Sequence, residues 1–528
     1  MTRILLTSAF KPFGVDSHFS RRDSRLEIFH TGFTRPREIF SCRGFFNSPG
    51  LHVIANNISA QSTVLEYPTY KRFLRELSRD YDYVGIGSVV ANFRKVRVMT
   101  EAVRDISPRT KIVVGGFLAD VDNVRESMPI DYLCKGEGIS FMRDLLGDSP
   151  EFEFKNPDIY RYTRSILGGP LFSHKIPQIV IGLGCADGNE NYAPFHHFGR
   201  EQITFFKTGE EIFREMERME RRFNSRTLGF MGDDDFLADS GRADQLRELI
   251  ARSGKQYEIF FTASVDSVME FGAERMAQMG TDMVWMGRDS IHQQGSGRAS
   301  ELKDLIKDLH RHGTKVALSI TLLMEHHTPD NIWEDVENHI SSGPDFTMFE
   351  FNSASPGTPY YEKQKNEDKI LWGQPYEEWN WQGWPHSYHP HFTSFQGRKL
   401  RELAVEREHH ALGPSIMRLI LTDLEGCLHM RESENPSLRR RAEHLAQKMS
   451  GYRAVLWAMV RLAPTAQIRE MVEDVLGRVE QSFGSVTFRE KAEGLGGWAL
   501  GTRQKILYRL AGDVIQPPTT VTIYPGPK

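Results

Sequence analysis

Only four cysteines occur in the 528 residues, Cys42, Cys134, Cys185 and Cys427, and no two of them form a CxxC pair. Thiols so few and so scattered argue against a disulfide-stapled secreted scaffold and the common zinc spacings, and they suit a reducing, cytoplasmic setting. No apolar run reaches the roughly 18 residues that a membrane-spanning helix needs. Neither a GxGxxG nor a Walker motif is present, which weakens the dinucleotide and phosphate-loop readings. An excess of positive charge is missing too. The chain holds 66 Lys and Arg against 70 Asp and Glu, a formal net charge of -4, so nothing suggests a nucleic-acid or membrane partner. The opening residues MTRILLTSAFKPFG read as a first strand rather than a signal peptide, because no small-residue cleavage site follows.

What is present is a strand–helix rhythm, in a chain long enough for several cores. RILLTS (3–8), LHVIANN (51–57), YVGIGSV (83–89), KIVVGG (111–116) and DYLCKGEG (131–138) read as strands. Helical periodicity over 67–81 and 93–106 separates some of them, and a long polar and aromatic loop follows the first. Such alternation predicts a parallel, doubly wound sheet over residues 1–147. Ligands of these sheets bind beyond the carboxyl ends of the strands, where Ser88, Gly115-Gly116 and Gly136-Glu137-Gly138 stand. Residues 148–175 are punctuated by Pro and Gly and read as a linker. From 176 the rhythm resumes with six βα-type strands to residue 360. Six is fewer than the eight of a closed barrel, so an open partial (β/α) barrel is expected, with catalytic groups at the carboxyl ends of its strands. An aromatic, His-rich segment (361–396) carries Trp372, Trp379, Trp381 and Trp384 with His386, His389 and His391; it reads as a cover over the open side of the barrel. Residues 397–528 read as mainly helical, with an irregular tail from 483 that ends in a short strand, TTVTIY.

Two stretches carry a resemblance. IPQIVIGLGCADGNENYAPFHHFG (176–199) resembles the cluster loop of radical S-adenosylmethionine (SAM) enzymes, whose CxxxCxxC cysteines hold a [4Fe–4S] cluster. Here the three positions are Cys185, Asn189 and Tyr192, and only the first supplies a thiolate, the usual cluster ligand. The series GIGSV, VVGG and KGEG resembles the cobalamin-binding domain that precedes such modules. The resemblance implies that Ser88, Gly115, Gly116, Gly136 and Glu137 line the nucleotide tail of cobalamin. Asp16-Ser17-His18 is similar to a DxHxxG motif, but Arg21 occupies the Gly position, and an unligated or water-bound lower face of cobalt is expected. After the second barrel strand, Asp233-Asp234-Asp235-Phe236 resembles the family's motif for the SAM ammonium, and Asp289 stands where a ribose-binding Glu is common. SASPGTPY (353–360) matches the turn that ends the family's core. With Cys185 and Asn189 at former ligand positions, these residues complete the expected cofactor set.

The resemblance therefore implies a cobalamin-dependent enzyme of radical SAM ancestry without a [4Fe–4S] cluster. Without the cluster, reductive cleavage of SAM is not available. Non-radical methyl transfer and a cobalt-centred cyclisation or rearrangement, on a small specialised metabolite, both remain open; SAM is an optional co-substrate. Tyr192, His196 and His197 are the candidate acid–base residues. His196-His197 with His326-His327 is not expected to form a metal site, because adjacent histidines in extended chain point to opposite faces. The alternative is a non-catalytic cobalamin- or SAM-binding partner or sensor. Expected partners are a small-molecule substrate and either a second copy or a reductase.

Overall fold

The computed structural model describes residues 2–12, 39–40, 43–164, 173–184, 203–288, 290–292, 299–379, 383–511 and 517–526. In chain order the first strands are β1 (Arg3–Ser8), β2 (Arg43–Phe46), β3 (Gln61–Glu66), β4 (Tyr83–Gly87), β5 (Lys111–Gly115), β6 (Tyr132–Leu133) and β7 (Tyr160–Arg164). Then follow β8 (Ser173–Val180), β9 (Gly182–Leu183), β10 (Ile203–Thr204), β11 (Thr227–Met231) and β12 (Glu258–Thr262). The last are β13 (Thr281–Arg288), β14 (Lys315–Leu322), β15 (Phe346–Phe351) and β16 (Thr520–Tyr524).

The N-terminal sheet has the order β16-β3-β1-β4-β5-β6. Its five N-terminal strands are parallel, and the order reverses between β1 and β4, which makes the crevice at their carboxyl ends the ligand position of a doubly wound sheet. The stretch LHVIANN, expected as a strand, is instead the helix Pro49–Asn56. A short apolar run fits either state, and Pro49 near the helix start favours the helix. The second strand is therefore β3. The far end of the chain completes this sheet, because β16 pairs antiparallel with β3. Glu66, at the end of β3, accepts hydrogen bonds from Asn47 Nδ2 (2.8 Å) and Thr520 Oγ1 (2.6 Å) and pairs with His52, whose ring also meets Tyr524 Oη at 2.8 Å.

The second sheet has the order β15-β14-β13-β12-β11-β8-β7-β2. Strands β8 and β11 to β15 are six parallel strands in chain order, as an open (β/α) unit requires. Strand β7 lies inside the stretch read as a linker and extends this sheet, antiparallel to β8, while β2 reaches it from the N-terminal third. Local chemistry sets the connecting helices. Thr208 and Glu211 form a reciprocal capping box at the start of Gly209–Phe223, and Asn224 ends that helix in the left-handed region, as short polar side chains tolerate. Apolar faces of these helices and of the sheet share one core that includes Ile179, Leu228, Phe261 and Val284.

A bundle of long helices, chiefly Ser415–Met430, Pro436–Leu462 and Ala466–Phe483, has its own core. Residues 488–511, read as an irregular tail, form a further helix. Among the described residues, no helix is long and apolar enough to cross a membrane.

Candidate functional site

The carboxyl ends of the two sheets are tied together. The SASPGTPY turn follows β15, and a Cβ at Gly357 (φ +87°) would sit 2.8 Å from Cγ of Asp120, which follows β5. One turn later, Tyr361 Oη donates to Asp122 Oδ2 at 2.8 Å, and Lys365 Nζ pairs with the same carboxylate at 2.8 Å. The aromatic segment strengthens this seam rather than standing apart from it. Tyr376 packs on Phe93 with ring centroids 4.8 Å apart, and Trp379 stacks on His386 at 4.5 Å. His386 bonds Ala354 O at 2.9 Å, and burial depresses its pKa to about 4, so the ring is neutral at physiological pH. Ala354, Tyr360, Tyr361 and Trp379 belong to the same core as Val84, Ile86 and Val114 of the first sheet.

At the first sheet's edge Ser88, Gly115 and Gly116 come together. Ser88 N donates to Gly115 O at 3.1 Å, and Leu118 N donates to Ser88 O at 3.2 Å. Gly116 is in the left-handed region (φ +76°), and a Cβ there would lie 2.6 Å from Ser88 O; only glycine permits this approach. Ser88 Oγ is buried with no hydrogen-bond partner. Gly136 (φ +82°) faces open space, with nothing within 4 Å of where its Cβ would be. Glu137 has a structural duty at this turn. Its carboxylate caps the helix Gly138–Leu146, accepting from Ile139 N and, at 2.7 Å, from Ser140 N, where a negative charge also favours the helix dipole.

At the second sheet's edge, Asp233 is committed to a buried ion pair, its Oδ2 2.7 Å from Arg242 Nη2. It is therefore not a bare acceptor for a ligand ammonium. Asp235 Oδ2 takes a hydrogen bond from Ser267 Oγ (2.7 Å), whereas its buried Oδ1 has no partner. Strands β9 and β10 pair antiparallel. Cys185, Asn189, Tyr192, His196, His197, Asp289 and His18 lie outside the described residues.

A further group follows β14, where His326 and His327 were read from the sequence but their partner Asp335 was not. Ligand atoms of His326, His327 and Asp335 lie within 4.8 Å of one another. The hydrogen bonds argue against a cation. His327 Nδ1 accepts from Met324 N at 2.9 Å, so the ring proton is on Nε2, which faces Asp335 Oδ2 at 2.8 Å. Asp335 also accepts from Ser290 Oγ and, at 2.7 Å, from Ile291 N. Burial raises the Asp335 pKa, but the bonds from His327 and Ser290 outweigh it and hold the carboxyl below its usual value. The His327 lone pair and the Asp335 oxygens are thus already engaged. His326 Nε2 is buried without a partner, and burial lowers that ring's pKa, the neighbouring His327 adding to the effect. Asp335 in the first turn of the helix Ile332–Ser341 was the available signal, but acidic residues at helix starts are common for dipole reasons alone.

Two of the four thiols are placed. Cys134 lies in the core between the first sheet and its flanking helices, and Cys427 in the helical bundle. Burial pushes the Cys134 thiol up to about 12 and raises that of Cys427 as well. They belong to separate cores and do not share a site.

No family model and no curated protein matches the chain. Solved structures do match in fold. The radical S-adenosylmethionine methyltransferase TsrM from Kitasatospora setae, with tryptophan substrate and the SAM analogue aza-SAM bound, is 12% identical with a TM-score of 0.53, over 86% of this chain and 100% of that one. The same enzyme with cobalamin and a [4Fe-4S] cluster bound is 14% identical with a TM-score of 0.50, over 85% and 99%. The apo, selenomethionine-labelled cobalamin-dependent SAM radical enzyme OxsB is 12% identical with a TM-score of 0.52, over 96% of this chain and 79% of that one.

Proposed function

We propose that the protein is a cobalamin-binding enzyme of radical SAM ancestry that works without a [4Fe–4S] cluster. The observation that carries this reading is the edge of the first sheet: a buried hydroxyl without a protein partner, Ser88 Oγ, beside a glycine that admits backbone to within contact of it, and an open approach at Gly136. These features fit a large ligand threaded between the carboxyl ends of the strands. The matched folds include an enzyme solved with cobalamin, which supports the same choice. In this reading Ser88 hydrogen-bonds the cofactor tail, Gly115 and Gly116 give it room, and Gly136 leaves its path clear; Glu137 shapes the turn by capping the helix. Bound cobalamin would supply a cobalt centre able to carry a methyl group or to act as a Lewis acid or one-electron centre.

The cluster does not fit the donor set. Asn189 and Tyr192 stand where thiolates are needed, and the buried thiols Cys134 and Cys427 sit in different cores. No step through a cluster follows. On the barrel side, Asp235 Oδ1 replaces Asp233 as the available acceptor for an ammonium group of SAM or substrate, because Asp233 holds Arg242. Tyr192, His196 and His197, which lie between β9 and β10 in the sequence, move protons on a small-molecule substrate. Non-radical methyl transfer and a cobalt-centred cyclisation or rearrangement would use these same groups.

The test is a hydroxocobalamin titration followed in the visible spectrum. One cobalamin per chain is expected, with binding at least tenfold weaker in Gly116→Ala. An absence of corrinoid uptake by the intact protein would overturn the proposal.

A further inference from the structure

A cavity of about 240 Å³ opens where none of the expected cofactor residues lies. Its walls come from the chain after β14 (Leu323, Glu325), from Asn352 after β15, from Tyr360 and Gln364 on the helix Pro359–Asn366, and from Ser387 to Pro390 of the aromatic segment, with Lys369 also lining it. Leu323 adopts φ +60°, a conformation that non-glycine residues rarely hold and that turns the chain sharply after the strand.

The polar lining is one-sided. Gln364 is only 1% exposed, and its Nε2 donates to Glu325 Oε1 at 3.2 Å. An ionised carboxylate has no hydrogen to give, so the amide must present nitrogen to Glu325. That leaves Gln364 Oε1 buried with no partner, a state that costs about 1–3 kcal/mol unless a donor arrives. The Glu325 carboxylate is half-exposed and meets Lys363 Nζ at 2.9 Å in an exposed pair, the kind that contributes little and exchanges readily. Lys369 is drawn to Glu367 at 2.5 Å. His389 supplies no charge: Nδ1 accepts from His391 N at 3.2 Å, Nε2 meets Met324 O at 3.0 Å, and burial lowers the ring's pKa. Burial raises the Tyr360 pKa too, so its phenol stays protonated.

We propose that this cavity binds a small primary amine, whose ammonium group donates to Gln364 Oε1 and to the Glu325 carboxylate. A neutral hydroxyl would satisfy Gln364 but would leave the carboxylate without a cation on that side. The volume is below the range of drug-sized pockets and holds the size of an amino acid or a simple aryl-alkyl amine. The site belongs to the barrel edge and the aromatic segment, and its occupancy is independent of cobalamin.

The experiment is calorimetric titration of the cobalamin-free, full-length protein with ethylamine, benzylamine and 2-phenylethylamine, and with the corresponding alcohols. At least one amine is expected to bind ten times or more tighter than its alcohol. Gln364→Leu should weaken that amine tenfold or more, and Gln364→Glu, which restores an acceptor, should bind it at least as tightly as the unaltered protein. Circular dichroism and melting establish that both variants are folded. Equal affinity for amine and alcohol, no binding by any of the six probes, or an unchanged affinity in folded Gln364→Leu would overturn the proposal. Cobalamin uptake, read separately in the visible spectrum, keeps failure of this site distinct from failure of the cofactor reading.

Discussion

The two ends of the barrel strands are built on opposite terms. At the amino end, buried charges meet partners. Lys315 pairs with Asp282 (2.6 Å) and with Asp423, while Lys448 and His444 both reach Glu258. Arg441, 1% exposed, donates to Thr281 O (2.6 Å), Gly313 O (2.7 Å) and His312 O (3.2 Å). Asp345 takes Val316 N and Thr422 Oγ1, each at 2.7 Å, beside His310. At the carboxyl end and the facing edge of the first sheet, buried polar atoms stand without partners: Ser88 Oγ, Asp235 Oδ1, His326 Nε2, Ser353 Oγ and Gln364 Oε1. Thr281 Oγ1 is a counter-example at the amino end, so the contrast is one of degree. It teaches that one end uses its polar groups to dock the helical bundle, whereas the other holds several buried polar atoms without a protein partner.

Substitutions at the two ends should therefore fail differently. The largest effect is expected at the amino end. Asp423→Ala leaves Lys315 and Lys448 short of a buried counter-charge and should cost roughly 3–5 kcal/mol, read as a lowered denaturation midpoint, with cobalamin affinity of the folded fraction unchanged. If cofactor affinity fell in step with stability, the ends would not be separable.

Acid should sharpen the contrast next. His386 has a folded pKa of about 4, below its unfolded value of about 6.5, so the unfolded chain binds more protons between them. Stability is then lost as the pH falls from about 6.5 to 4, by about 3 kcal/mol. Glu258, Asp345 and Asp423 are also pulled below their usual values, because their cationic partners outweigh the burial that raises them. Their contribution persists until the pH falls below the ordinary carboxylate range. Unfolding between pH 7 and 4 should accordingly depend on His386, with His326 and His389, whose pKa values burial also lowers, adding to it, and folded His386→Asn should lose the His386 share of that acid sensitivity. An unaltered pH profile in that variant would contradict the assignment.

Gly116→Ala should cost about 1–3 kcal/mol, because alanine is strained at this φ and its Cβ meets Ser88 O. The smallest stability effect is expected for Ser88→Ala. Removing a buried hydroxyl that has no partner should leave melting nearly unchanged, yet weaken cobalamin several-fold through a lost hydrogen bond worth about 0.5–1.5 kcal/mol. A large loss of stability in Ser88→Ala would mean that the hydroxyl has a structural duty.

Much of the architecture was legible because strand and helix periods alternate; all six barrel strands follow that signal. What escaped depends on partners distant in sequence. The run 51–57 carries no period that separates helix from strand, and β2 and β7 are short strands defined by the edges they cover; TTVTIY was legible as a strand, but its place beside β3 was not. The grouping of Ser88 with Gly115 and Gly116 was readable from position. The commitment of Asp233 to Arg242, nine residues on, was not, because a run of three acids looks the same whether it is solvated or paired. The duty of Glu137 as a helix cap was readable in principle from its place before the helix start.

Cobalt, iron and acid-labile sulfide should be quantified per chain in protein purified without oxygen from cobalamin-fed cells. The account predicts about one cobalt and no iron above background. Iron and sulfide near four per chain would contradict it, and would place a cluster on ligands other than the three-thiolate motif.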